Sequence, residues 1–229
     1  MIDINEKSSL FDRMKSYESA HTNTINSKAL IIRVDGKAFH SLKPYLRKGI
    51  DSNMVEIMTN TMLNVVNELQ SCVFAYTQSD EISFLLRSDR SPSEEPYLKN
   101  KVQKIVSIAA SMATAWFNHE ASDIIKKLCY FDARVFTMPD EDLPNYFIWR
   151  QKDWIRNSII MLGRAKFSAQ ELHRKNSAQV LDMLVRVGYD FDSLTEYHLL
   201  GTAYHKDLGL YTTNFKYNNF IGNHFQPHE

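Results

Sequence analysis

Cysteine, proline and glycine are all scarce in this 229-residue chain, with two, six and seven copies. Cys72 and Cys129 cannot build a disulfide framework, and neither sits in a CxxC pair, so a reduced intracellular chain is expected. There is no excess of either charge: 27 basic and 27 acidic residues cancel. The whole-molecule field therefore singles out no partner. Long apolar runs are absent too. The longest, Ile105 to Phe117, has 13 residues and is too short to span a bilayer. The N-terminal stretch MIDINEKSSLFDRMKSYE is charged throughout and has no apolar core like that of a signal peptide. No membrane role is indicated, and a cytoplasmic (or organellar-matrix) protein is expected.

A hydrophobic fraction of 44% and a charged fraction of 24% suit a soluble globular fold, and the length allows one large or two small domains. The distribution of charge says more than its total. Between Arg150 and Arg186 eight Lys/Arg face three acids (Asp153, Glu171, Asp182), a local +5 that leaves −5 elsewhere. Such a segment could hold a phosphate backbone while acids elsewhere gather metal, although a solvated helical surface would look the same.

Along the chain, 29–34 (ALIIRV) is a β-branched run ending at Asp35-Gly36, which predicts a buried strand. Apolar residues then fall at helical spacing from Asp51 to Gln70, with Asp51 or Ser52 as N-cap. Val73–Tyr76 and Ile82–Leu86 flank a short polar link and predict a hairpin. The prolines around 91–96 predict a loop, and a long helix is expected from about Leu98 to Leu128, before a strand from Phe131 to Thr137. The order β-α-β-β-α-β is the ferredoxin-like arrangement, shared by polymerase-palm and nucleotide-cyclase cores. The expectation is an α+β fold: an antiparallel sheet with helices on one face over residues 1–140, then a mostly helical region, 141–229, packed on it. Tyr146–Phe167 and Ser168–Val187 are its best helices, Ser168 and Glu171 forming a capping box. The last dozen residues are expected to fray.

Asp35 closes the first strand and Asp80 sits in the hairpin turn. In a ferredoxin-like sheet the first strand lies beside that hairpin, so the two carboxylates can meet. Magnesium prefers oxygen ligands and binds through one or two carboxylates plus substrate phosphates. Two such ions can clamp an in-line phosphoryl displacement. Asp35 and Asp80 suit the bridging role, and the Gly36 carbonyl could join them. Lys37, Ala38, Phe39 and His40 follow, with Lys48 beyond. A lysine can neutralise triphosphate, a phenylalanine can stack a base, and His40 or Ser79 can donate to phosphate. Each residue also has an ordinary structural explanation in turn or core.

The runs Arg33–His40, Tyr76–Phe84, Phe131–Val135, Trp149-Arg150-Gln151, Asp153 and Asn157-Ser158 resemble, in order, the motifs of the tRNA-His guanylyltransferase superfamily. They cover roughly residues 29–168. The resemblance implies a palm-like core that extends RNA in the 3′-to-5′ direction: ATP or GTP activates a tRNA 5′-phosphate, and the 3′-hydroxyl of an incoming nucleotide displaces the activating group. It implies magnesium ligands at Asp35, Gly36 and Asp80, with Glu81 an acid beside them. It places nucleotide contacts at Asp35–His40, Lys48, Ser79 and Asp80. RNA contacts are expected at Arg150, Arg156, Asn157 and Arg164, and the assembly is expected to be a homotetramer. Where the guanylyltransferases proper carry His-Ile-Asn-Asn, this chain has Ile155-Arg156-Asn157-Ser158, which resembles the guanylyltransferase-like branch associated with templated repair of 5′-truncated tRNAs. Gly49 replaces a proline common among relatives and is expected to loosen a turn. Addition of a single guanosine to tRNA-His, a non-catalytic RNA-binding module and a nucleotide cyclase are the alternatives.

Overall fold

Strand β1 (Ala29–Gly36) is the spine of the molecule, because it has a hydrogen-bonded neighbour on each side. β3 (Glu81–Arg87) pairs antiparallel with it on one side and β4 (Phe131–Phe136) on the other. β2 (Cys72–Gln78) pairs with β3 through a two-residue turn, and β5 (Thr202–His205) and β6 (Gly209–Tyr211) extend the sheet beyond β2. The order is β4-β1-β3-β2-β5-β6, a ferredoxin-like core of four strands with two added at one edge. This computed structural model describes residues 23–89, 95–213 and 215. The expectations for the N-terminal stretch, for most of the 91–96 loop and for the last dozen residues lie outside the described residues.

The alternating pattern of β1 feeds two cores. Leu30, Ile32 and Val34 point to one face, where α1 (Ser52–Glu68) and α2 (Val102–Glu120) bury Met58, Met62, Ile105, Ala109 and Phe117. Ala29 and Ile31 point to the other, which α3 (Leu143–Lys166) covers with Leu143, Tyr146 and Phe147. The predicted α1 is found with Asp51 as its N-cap. The expected pair of helices on one face is present, and α3 adds a helix to the second.

Three element boundaries differ from the sequence reading. The long helix expected from 98 to 128 is confined to α2. Leu98, Lys99 and Asn100 have φ of 48°, 54° and 54°, outside the right-handed helical region. At the other end, Asn118 accepts from the Cys129 amide at 2.9 Å and donates to its carbonyl at 2.8 Å, turning the chain back. In the second case, Ser168 and Glu171 do exchange hydrogen bonds, but they close only a turn. Arg174 at φ 58° interrupts it, and α4 (Ser177–Arg186) starts anew from a capping box of Asn176 and Gln179. The third is that the region after 140, expected to be mostly helical, also supplies strands. After the short α5 (Glu196–Leu200), β5 and β6 join the sheet.

Phe147 is fully buried, and its ring meets Phe74 edge-on at 4.6 Å and Tyr146 at 5.1 Å. Phe147→Ala should destabilise the fold by about 3–5 kcal/mol, because it empties the contact between α3 and the sheet. Urea denaturation would check this. A loss below about 1 kcal/mol would mean that α3 is not an integral layer of the core.

Candidate active site: an acid pair beside a nucleotide-sized cleft

Strand pairing decides which side chains meet at the end of the sheet. Asp35 stands opposite Glu81 on β3 and opposite Asp132 on β4, so three acids form one cross-strand row. Two residues back along the strands, Ser83, Arg33 and Arg134 form the next row on the same face. Asp80 occupies the hairpin turn, and the Gly36 amide donates to its carbonyl at 2.9 Å. That bond continues the β1–β3 pairing into the turn, so Asp35 lies close enough for its charge to act on Asp80. The Thr77 hydroxyl donates to the Glu81 carbonyl at 3.0 Å across the base of the turn. Ser79 is held at φ 52° and donates to Asp80 Oδ1 at 2.9 Å. A non-glycine residue in this region costs on the order of 1–3 kcal/mol, and such strain gathers at functional sites.

Both carboxyl groups bind protons more tightly than an ordinary aspartate. Burial pushes Asp35 up, and the charge of Asp132 adds to it against the pull of Arg33, Arg134 and Arg150. Burial also raises Asp80, opposed by the Ser79 hydrogen bond and reinforced by Asp35 and Glu81. Acids crowded in this way favour a bound cation, which removes their mutual repulsion. Among the described residues no three His, Cys, Asp or Glu side chains converge to hold an ion unaided. The donor set instead suits magnesium, which takes one or two carboxylates and completes its shell with water and phosphate.

Arg150 differs from its sequence-based expectation, whereas Glu81 stands beside the two aspartates as expected, opposite Asp35 and next to Asp80. Glu81 is buried, and both its carboxylate oxygens accept from the Arg150 guanidinium on α3, each at 2.7 Å. Burial alone would lower the Arg150 pKa, but the hydrogen bonds and charge of Glu81 raise it. With 8% of its surface exposed, Arg150 is therefore not part of an outward RNA-facing patch. It clamps the hairpin to α3. Arg156 and Asn157 are exposed, and both donate to Asp153, at 2.8 and 3.4 Å.

Beside the acids lies a cleft of about 510 Å³. Asp80 and Ser79 form one wall with Gln78 and Thr77; Phe39, His40 and Lys48 form another; Met54, Val55 and Met58 of α1 lie beneath; Met161, Arg164 and Ala165 close it from α3. The volume is in the range of small-molecule sites. Of the expected nucleotide contacts, Phe39, His40, Lys48, Ser79 and Asp80 line the cleft, while Asp35, Gly36, Lys37 and Ala38 do not. Arg164, expected to face RNA, lines it as well. The Phe39 ring is a fixed wall, lodged against Phe117 at 5.0 Å and Phe131 at 5.2 Å. It also explains Gly36, where a Cβ would stand 2.6 Å from that ring. Lys43 and Arg47 line the cleft too and were not singled out from the sequence, although Lys43, Arg47 and Lys48 fall within six residues. Asp132 carries no comparable signal in the sequence. Only the β1–β4 register reveals it beside Asp35.

A palm-like antiparallel sheet with an acid pair at the mouth of a nucleotide-sized cleft defines the class. Comparison with known proteins narrows it. A sequence model described as "Thg1: tRNAHis guanylyltransferase" matches residues 11–139, and the chain belongs to this family. A bacterial tRNA(His) guanylyltransferase (Thg1)-like protein in complex with ATP is 31% identical, with a TM-score of 0.84 over 90% of this chain and 92% of that one. Another such structure, in complex with GTP, is 28% identical with a TM-score of 0.72, over 91% of this chain and 92% of that one. Among curated proteins, tRNA(His) guanylyltransferase 2 of Arabidopsis thaliana is 28% identical across 76% of this chain but 35% of its own length. A probable tRNA(His) guanylyltransferase of Drosophila melanogaster is 30% identical across 66% of this chain and 53% of its own. The chain thus spans from about a third to about half of these two relatives. Among the described residues no helix is long and apolar enough to cross a membrane.

Two outcomes follow from the electrostatics. Because Asp35 and Asp80 have folded pKa values above the ordinary 3.8, their contribution to stability is greatest below that pH and falls as pH rises through the folded values. Asp80→Asn should therefore raise the melting temperature of the metal-free protein at neutral pH, by about 2–4 °C for each kcal/mol of repulsion removed. The gain should shrink as the pH is lowered toward 3.8. A variant that melts lower than wild type in chelator at pH 7 would contradict the crowding. Arg150→Ala should cost about 3–5 kcal/mol by stranding the buried Glu81 charge. Adding Glu81→Gln should recover part of that loss in denaturant titrations.

Proposed function

We propose that the chain is a nucleotidyltransferase that takes ATP or GTP in the cleft and adds nucleotides to the 5′ end of truncated tRNA, in the 3′-to-5′ direction and against a template. The observation that carries this reading is the convergence of Asp35 and Asp80 beside a cleft edged by Lys43, Arg47, Lys48 and His40. Such cations neutralise a triphosphate.

In the activation step an oxygen of the tRNA 5′-phosphate attacks the α-phosphorus of the bound triphosphate, and pyrophosphate leaves. In the second step the 3′-hydroxyl of the incoming nucleotide attacks the activated 5′-phosphate, and the nucleoside monophosphate leaves. Phosphoryl transfer needs mostly positioning and charge neutralisation from its protein. Two magnesium ions, for which Asp35, Asp80 and the Gly36 carbonyl are the proposed ligands, would supply electrostatic stabilisation of the attacking and leaving oxygens. Lys48, Lys43 and Arg47 hold the triphosphate tail, Ser79 and His40 donate to its oxygens, and Phe39 walls the base. Glu81, clamped by Arg150, acts as a positioning residue for the hairpin that carries Asp80. The exposed Arg156 and Asn157 are the proposed RNA contacts on α3, and the assembly is taken to be a homotetramer.

Templated repair is favoured over guanosine addition to tRNA-His because Ile155 stands where the guanylyltransferases carry histidine. The test is a labelled set of 5′-truncated tRNAs incubated with magnesium and each nucleotide in turn. Addition of the base complementary to the opposing strand, on several tRNAs, is expected. A single guanosine added to tRNA-His alone would favour the strict guanylyltransferase, and no addition to any end would refute the reading. Asp35→Asn should lower the rate at least about 100-fold, the scale of losing one electrostatic stabiliser of the transition state.

A further inference from the structure

Asp51 is a buried carboxylate in the wall of the cleft, 6% exposed. Its Oδ1 accepts from the Met54 amide at 3.0 Å, which is the N-cap bond of α1. Its Oδ2 accepts from the Arg47 amide at 2.6 Å. The second bond is not needed for capping, since one side-chain oxygen satisfies that role. It reaches back four residues and closes the chain between Arg47 and Asp51 into a ring. Within this ring lie Lys48, which lines the cleft, and Gly49 at φ 88°, a backbone conformation closed to proline. The turn is therefore set by a left-handed glycine and a carboxylate tether, rather than loosened.

We propose that Asp51 is a positioning residue for the triphosphate: by tying the Arg47 amide to the start of α1, it fixes the backbone that presents Arg47 and Lys48 to the cleft. This rests on the reading of the cleft as a nucleoside triphosphate site. A carboxylate here could in principle read a guanine edge instead. Its two oxygens already accept the amides of Arg47 and Met54, and a tether of this kind serves ATP and GTP alike. Holding two flexible cationic side chains on a closed loop lowers the entropy lost when they meet phosphate.

Asparagine and serine cap helices as well as aspartate does. Neither can keep both bonds, because asparagine presents an NH2 to one of the two amides and serine offers a single short hydroxyl. Asp51→Asn and Asp51→Ser are compared with wild type for melting temperature and for binding of ATP and of GTP with magnesium, by calorimetry. Both variants should stay folded, melting a few degrees below wild type, and lose affinity for the two nucleotides by a similar factor, roughly tenfold. Lys48→Ala should cost less in the Asp51→Asn background than in wild type, because the lysine is already misplaced there. A folded variant that binds as tightly as wild type would overturn the proposal. So would loss of GTP binding alone, or effects of Asp51→Asn and Lys48→Ala that simply multiply. If Asp51→Asn fails to fold, the same comparison is made with Asp51→Ser. A folded wild type that binds neither nucleotide would refute the reading of the cleft itself, and this inference with it.

Discussion

A single backbone hydrogen bond, from the Gly36 amide to the Asp80 carbonyl at 2.9 Å, ties the end of β1 to the turn between β2 and β3. Everything proposed for the site depends on this junction, which completes the β1–β3 pairing and brings close two carboxylates that are 45 residues apart in sequence. The cost of that arrangement is visible in both partners. Asp35 and Asp80 bind protons more tightly than free aspartates, and Ser79 holds a backbone conformation that L-residues avoid. The surrounding structure must over-determine the turn for the strain to persist.

Two layers supply that support from opposite faces of the sheet. On one, Phe39 lies against Gly36 and completes a three-ring cluster with Phe117 and Phe131, so the segment after β1 is anchored in the core rather than left as a free loop. On the other, Arg150 grips Glu81 with two hydrogen bonds and fastens the hairpin to α3. A buried ion pair of this kind adds little net stability, yet breaking it is costly, so it acts chiefly to specify one arrangement. Here the arrangement it specifies is the position of the residue next to Asp80.

The four-strand core was legible because its signals were local and strong: β-branched runs, a capped amphipathic helix and a polar link short enough to be a hairpin. Asp35 and Asp80 could be paired from topology alone. What could not be read depends on contacts between distant segments. Arg150 looks like any surface cation of a basic helix until its partner on β3, Glu81, is known. The ends of α2 at 102 and 120 are set by three positive-φ residues before it and by Asn118 reaching to Cys129, neither of which has a propensity signature. β5 has only four residues and becomes a strand because β2 offers it an edge. Lys43 and Arg47 carried a readable signal, three cations within six residues, but only the cleft shows which surface they face.

The chain belongs to the tRNA-His guanylyltransferase family but spans 35% of one curated relative and 53% of another, so the activity and substrates proposed for it rest on its own site. The central claim is that the acid pair and the cleft form one site, with divalent cations shared between Asp35, Asp80 and a triphosphate. Diffraction from crystals soaked with manganese and a non-hydrolysable ATP analogue tests it most directly. Anomalous density between the two aspartates, with the triphosphate running toward Lys48, is the predicted result. Manganese bound away from that corner, or a nucleotide seated in the cleft with its phosphates turned from the aspartates, would contradict it.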